Sequence, residues 1–166
     1  MSKSIQQHTL KELFKRAIQI ENQAGSIYRE LEKRFSHHQE SVALWKALAA
    51  DEDEHAKVLA KVLGDAPSKK LACQAPADVW AAVTQILHLL SQDLLSSIKN
   101  LKDAYELAHE LEYSEVNAVF EFLSVDAIPG RVEREFIRTH ITAHQKRLTD
   151  FLQNYIGKDW SEVTPQ

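Results

Sequence analysis

Apolar residues recur along this chain at alternating steps of four and three, the spacing that keeps one face of an α-helix continuous. The first such seam runs Leu10, Phe14, Ala17, Glu21, Ala24, Tyr28, Leu31 and Phe35, and the second Trp45, Leu48, Glu52, His55, Leu59 and Val62. A third runs Leu101, Tyr105, Ala108, Glu112, Glu115, Val119 and Phe122, and a fourth Ile137, Ile141, His144, Leu148, Phe151 and Tyr155. Four long helices are predicted, over about 9–35, 39–64, 97–124 and 129–157.

Local signals set their ends. Thr9 and Glu12 form a capping box, "SHHQES" makes the first turn, and Gly64 is expected to end the second helix in left-handed geometry. "VDAIPG" breaks the third helix, and Pro129 is suited to start the fourth. Residues 65–96 open with the loop-like "DAPSKKLACQAP" and continue into "ADVWAAVTQILHLL", which has a helical pattern. Short turns make the partners within each pair antiparallel, while the long connection carries the chain from one end of a bundle to the other. The expected architecture is all-α and a single domain over 1–166: a four-helix bundle of two antiparallel pairs joined by a crossover containing a short extra helix.

The two halves also resemble each other. A shift of 91 places Leu10 on Leu101, Ala17 on Ala108 and Glu21 on Glu112, and a shift of 89 places His55 on His144 and Leu59 on Leu148. An internal duplication is the economical explanation.

Composition narrows the function classes. Only four Gly and four Pro favour helices over turn-rich β structure. The net charge of −4, with no basic run, argues against a nucleic-acid surface. "MSKSIQQH" lacks the apolar core of a signal peptide and no apolar run is long enough to span a bilayer, so a cytoplasmic location without a membrane partner is expected. A single cysteine, Cys73, excludes an internal disulfide and a four-cysteine metal site within one chain.

The polar residues inside the seams carry the chemistry. Glu21, Glu52, Glu112 and Glu115 with His55 and His144 lie near the middles of their helices, where antiparallel packing brings them to similar depth. A buried unpaired carboxylate costs several kcal/mol, and no Lys or Arg shares these seams. Two divalent cations would balance four carboxylates, and neutral imidazole is an ordinary ligand for iron, manganese or zinc. A register shifted by one position would turn the same residues into solvated surface charges, but six of them fall together in apolar seams. The neighbouring Asp51, Asp53 and Glu54 are expected on a solvated face, as are His37 and His38 in the turn, and His8, His88 and His109 have no partner at ligand spacing.

A Glu on the first helix, Glu-x-x-His on the second, a Glu on the third and a His on the fourth resemble the ferritin-like superfamily, and within it the rubrerythrin-type di-iron carboxylate proteins. The matching residues are Glu21, Glu52 with His55, Glu112 and His144. The resemblance implies a ferritin-like bundle holding two irons per chain, with manganese and zinc as alternatives. It also gives Tyr28, seven residues after Glu21, the place of a tyrosine beside the metals, hydrogen-bonding a ligand carboxylate or donating to bound oxygen. In "ITAH" the chain departs from the family: Ile141 stands where a bridging Glu belongs. Glu115, one turn beyond Glu112, is the favoured substitute, and His140, one turn before His144, is the other. Rubrerythrins also append a rubredoxin-like domain with paired Cys-x-x-Cys motifs, which are missing from this sequence, so electrons are expected from a separate donor.

The leading expectation by resemblance is an oxidoreductase that reduces hydrogen peroxide or dioxygen, paired as a homodimer. Two other readings stand beside it: a non-enzymatic metal-binding protein, and a structural helical bundle with a vestigial site.

Overall fold

The computed structural model describes residues 8–113, 119, 122–123, 131–155 and 158–166. Six helices are named among them: α1 (Leu10–Arg34), α2 (Gln39–Asp65), α3 (Ser68–Leu71), α4 (Ala77–Leu90), α5 (Leu101–Tyr113) and α6 (Arg131–Tyr155). The described residues contain no strand, and none of their helices is long and apolar enough to cross a membrane. The architecture is an all-α, ferritin-like bundle whose long helices are α1, α2, α5 and α6.

The capping box closes the start of α1: Thr9 Oγ1 accepts from the Glu12 amide at 3.3 Å, and the Thr9 amide donates to Glu12 Oε2 at 2.7 Å. Lys33 and Arg34 in the last turn suit the negative end of the helix dipole. After the turn, the His38 side chain caps α2 by accepting from the Ser41 amide. Gly64 does not end α2 as expected. The helix continues to Asp65 and stops at the extended Ala66, because the Pro67 ring disfavours helical geometry in the residue before it. The third long helix begins at Leu101 rather than near 97: Leu94–Ser97 form a 3-10 turn, and the Asn100 side chain accepts from the Asp103 amide to open α5. The expected end of that helix near 124 and the Pro129 start of the fourth lie outside the described residues.

Side-chain pairings set the helix directions. Going down α1 from Arg29 to Gly25 to Glu21, the partners climb α2 from Asp53 and Glu52 to His55, so the two helices are antiparallel. Between α2 and α6, Asp51 meets Arg147 and His144 while His55 meets His140. Between α5 and α6, Glu112 meets His144 and Tyr105 donates to the Leu148 carbonyl. The helix expected in the crossover is α4, fourteen residues long, which packs against α1.

Both ends of the described chain are tied down. The His8 carbonyl accepts from the Ala75 amide and the Leu10 amide donates to Cys73, while the Gln166 amide donates to Arg34 and the Leu101 amide to Val163. Trp160 is buried in the core.

Candidate metal centre

The seams place their polar residues together. Glu21, Glu52, His55, Glu112 and His144 are all buried, on four different helices, among side chains that are apolar apart from Ser41. Each owes its place to helical spacing, since it occupies the inward position that its apolar neighbours one turn away define. At Gly25 the absent side chain lets α1 approach closely: a Cβ there would lie 3.4 Å from Glu52 Cβ and 3.3 Å from Arg29 Nη1.

Glu52 stands at the middle. Its Oε2 lies 3.1 Å from His55 Nδ1, and Glu21 Oε2 lies 3.6 Å from that same nitrogen. Its other oxygen, Oε1, lies 3.8 Å from His144 Nε2, which is 2.6 Å from Glu112 Oε2. Two carboxylate–imidazole pairs result, Glu21 with His55 and Glu112 with His144, and the Glu52 carboxylate faces both. Ligand atoms of Glu52, His55 and His144 lie within 4.8 Å of one another.

Charge makes the cluster costly without a cation. Burial, then the charges and hydrogen bonds of Glu21 and Glu112, hold the Glu52 carboxyl well above the ordinary carboxylate range. Burial pushes the Glu21 carboxyl up as well, but hydrogen bonds from Glu52 and His55 and the nearby imidazoles outweigh it and leave it below its ordinary value. No ion pair from Lys or Arg reaches Glu21 or Glu52 among the described residues. Both ring nitrogens of His144 are buried with carboxylate oxygens close by, yet neither makes an aligned hydrogen bond among the described residues. Such a group of ring nitrogens and carboxylate oxygens could hold a metal ion. A carboxylate and imidazole set of this kind suits iron, manganese or zinc.

The Tyr28 hydroxyl donates to Glu112 Oε1 at 2.5 Å. Burial, together with the Glu112 and Glu52 charges, raises it well above its ordinary value, so it stays protonated. His140 is half-buried, with its ring centroid 6.2 Å from that of His55, and burial with the His55 charge lowers its pKa. Ile141 is half-buried and packs against the core. Glu115 lies outside the described residues.

Asp51 corrects the expectation that only Glu52 turns inward from its acidic run. Its side chain is 16% exposed, lies 3.3 Å from His144 Nδ1 and also contacts Arg147. Asp51 Oδ2 faces Nδ1 while Nε2 faces Glu52 and Glu112. The sequence carried a signal for this: Asp51 lies three residues after Leu48 and four before His55, on the border of the seam. Asp53 is half-exposed and pairs with Arg29. His8 stacks on Trp80 at 3.7 Å and His38 meets the edge of Trp160 at 4.5 Å, both away from the centre.

The sequence profile of the rubrerythrin family matches residues 12–126. This chain belongs to that family. The match takes in Glu21, Glu52, His55 and Glu112 and ends before α6, so the rubrerythrin-type departure at Ile141, and His144 itself, lie beyond the matched stretch. Among curated proteins and among solved structures, no match is found.

Proposed function

We propose that this rubrerythrin-family chain is an oxidoreductase that binds two irons and reduces hydrogen peroxide or dioxygen with electrons from a separate donor protein. The observation that carries the reading is the position of Glu52, whose two oxygens face one imidazole each. Glu21, Glu52 and His55 would hold one ion, and Glu112, Glu52 and His144 the other. Glu115 would supply a further carboxylate, with His140 as the alternative nitrogen ligand. Iron rather than manganese or zinc follows from the family, since the ligand types accept all three. Bound iron, cycling between ferrous and ferric states, would supply electrons to the O–O bond.

The protein's own residues hold, orient and protonate. Glu52 gives up its proton when a cation replaces it. Asp51, 3.3 Å from His144 Nδ1, would hold the ring once Nε2 binds a metal, and Tyr28 keeps a proton on its hydroxyl beside Glu112, available to a reduced oxygen. The surrounding apolar core excludes bulk water. The proposal includes a cytoplasmic homodimer, both features following from the sequence reading.

Elemental analysis of protein purified without chelator is expected to find two irons per chain, lost in Glu52→Ala. Ferrous-loaded protein should consume peroxide faster than the same iron free in solution, and failure to do so ends the oxidoreductase reading. Ile141, apolar at the bridging position, favours a second reading, a protein that holds metal without turnover. That reading predicts tight binding with no peroxide consumption above free iron.

A further inference from the structure

We propose that the two halves of the centre bind metal unequally, and that Asp51 and His140 set the difference. The half around His144 takes the first ion and holds it; the half around His55 takes the second and exchanges it. The inference rests on the paired-ion part of the reading above, not on its redox chemistry.

The internal repeat supplies the comparison. The shift of 89 that lays His55 on His144 also lays Asp51 on His140, Glu52 on Ile141 and Val58 on Arg147. In the fold, α2 and α6 each place a side chain behind the other's imidazole. Asp51, four residues before His55, reaches across to His144 Nδ1 at 3.3 Å. His140, four residues before His144, sets its ring edge-on to His55 with centroids 6.2 Å apart. One position of the repeat therefore backs the opposite imidazole in both halves, once with a carboxylate and once with an imidazole.

A carboxylate behind a metal-binding imidazole makes the ring a stronger donor and fixes its rotation, whereas a neutral imidazole brings no negative charge. Arg147 pairs with the same Asp51 oxygen that faces His144, which anchors the carboxylate to α6 itself. The Arg147 charge offsets part of the Asp51 charge, so the larger share of the advantage is orientation. Val58, at the matching place in the first half, can make no such pair. Access differs in the same sense: the His144 side chain is 3% exposed and that of His55 10%, and His140 beside His55 is only half-buried. Among the described residues Glu52 is the carboxylate that faces both imidazoles, its counterpart in the repeat being Ile141, so the first ion draws it away from the second.

The test adds zinc, which keeps one oxidation state, stepwise to the metal-free protein. Ring-nitrogen NMR signals of the histidines report which imidazole binds, and calorimetry gives the affinity of each step. The first equivalent should move His144 and leave His55 in place, the second should move His55, and the steps should differ by about tenfold or more. Repulsion between two cations splits the steps in any paired site, so the order carries the test. Asp51→Asn should weaken the first step about 10–100-fold and bring His55 into the first equivalent. His140→Asp, which puts a carboxylate behind His55 as well, should strengthen the second step and narrow the gap. His55 moving before His144, both moving in proportion from the start, or zinc coordinated by His140 itself overturns the inference. A gap in His140→Asp equal to that of wild type does the same, and decides even if Asp51→Asn does not fold. A single bound ion, or none, defeats the paired-ion reading and this inference together. Two ions bound in the stated order, with no peroxide consumed by the iron-loaded protein, uphold the inference and end only the oxidoreductase reading.

Discussion

Burial and two neighbouring carboxylates make Glu52 the member of the cluster that keeps a proton in the metal-free protein. Its folded pKa lies above the unfolded one, so its stabilising share is complete below the ordinary carboxylate range and is lost as pH rises through the raised value. Glu21 has the opposite sign: its share is present above its ordinary value and is lost as pH falls through the lowered one. Unfolding followed across pH should therefore give the metal-free protein greatest stability between the two folded-state values. Glu52→Gln should remove the alkaline decline, worth about 1.4 kcal/mol for each unit by which the folded value exceeds the ordinary one. A decline of the same size in the variant would contradict this assignment. Asp51→Asn should lower metal affinity by about 10–100-fold, as loss of a partner behind a metal-binding imidazole does, with helicity unchanged by circular dichroism. Unaltered affinity would show that His144 does not depend on Asp51 for its orientation.

At the scale of elements, the site depends on helices whose ends are fixed locally. Thr9 satisfies an orphan amide at the start of α1, and Thr9→Ala should cost about 1 kcal/mol, lowering Tm by roughly 2–4 °C. The centre lies far along α1 from that end, so metal content should stay at wild-type level; losing metal as well would mean that the cap controls the register of α1 against α2. Gly25 works differently, because what matters there is the close approach of α1 to the Glu52 Cβ and the Ala49 carbonyl of α2. The tie between Gln166 and Arg34, and that between Val163 and Leu101, hold Trp160 in the core.

For the whole molecule, the cluster draws on four helices at once, so a bound cation cross-links the bundle. Loading at a free metal concentration about a hundredfold above Kd should stabilise the fold by about 2.7 kcal/mol. That corresponds to a rise in Tm of roughly 5–10 °C for a chain of this size. Hydrogen exchange should slow in α1, α2, α5 and α6 together. Protection confined to one helix pair would place the ion in only one of the two carboxylate–imidazole pairs.

Much of this was legible in the residues themselves. The four-three spacing located the four long helices and turned Glu21, Glu52, His55, Glu112 and His144 inward, because a helix puts residues one turn apart on one face whatever surrounds it. The Thr9 capping box was equally local. Gly64 misled because its neighbour Pro67, two residues past Asp65, decided where α2 stops. Trp160 was legible only in three dimensions, and so was the partner of Asp51. Asp51 sits on the border of its seam, and α6 makes it a partner of His144; Trp160 follows the last helix, and contacts from α1 and α5 enclose it. Periodicity within one helix names the face that turns inward, but which side chains meet there depends on how four separate helices are set against one another, and only the tertiary structure decides that.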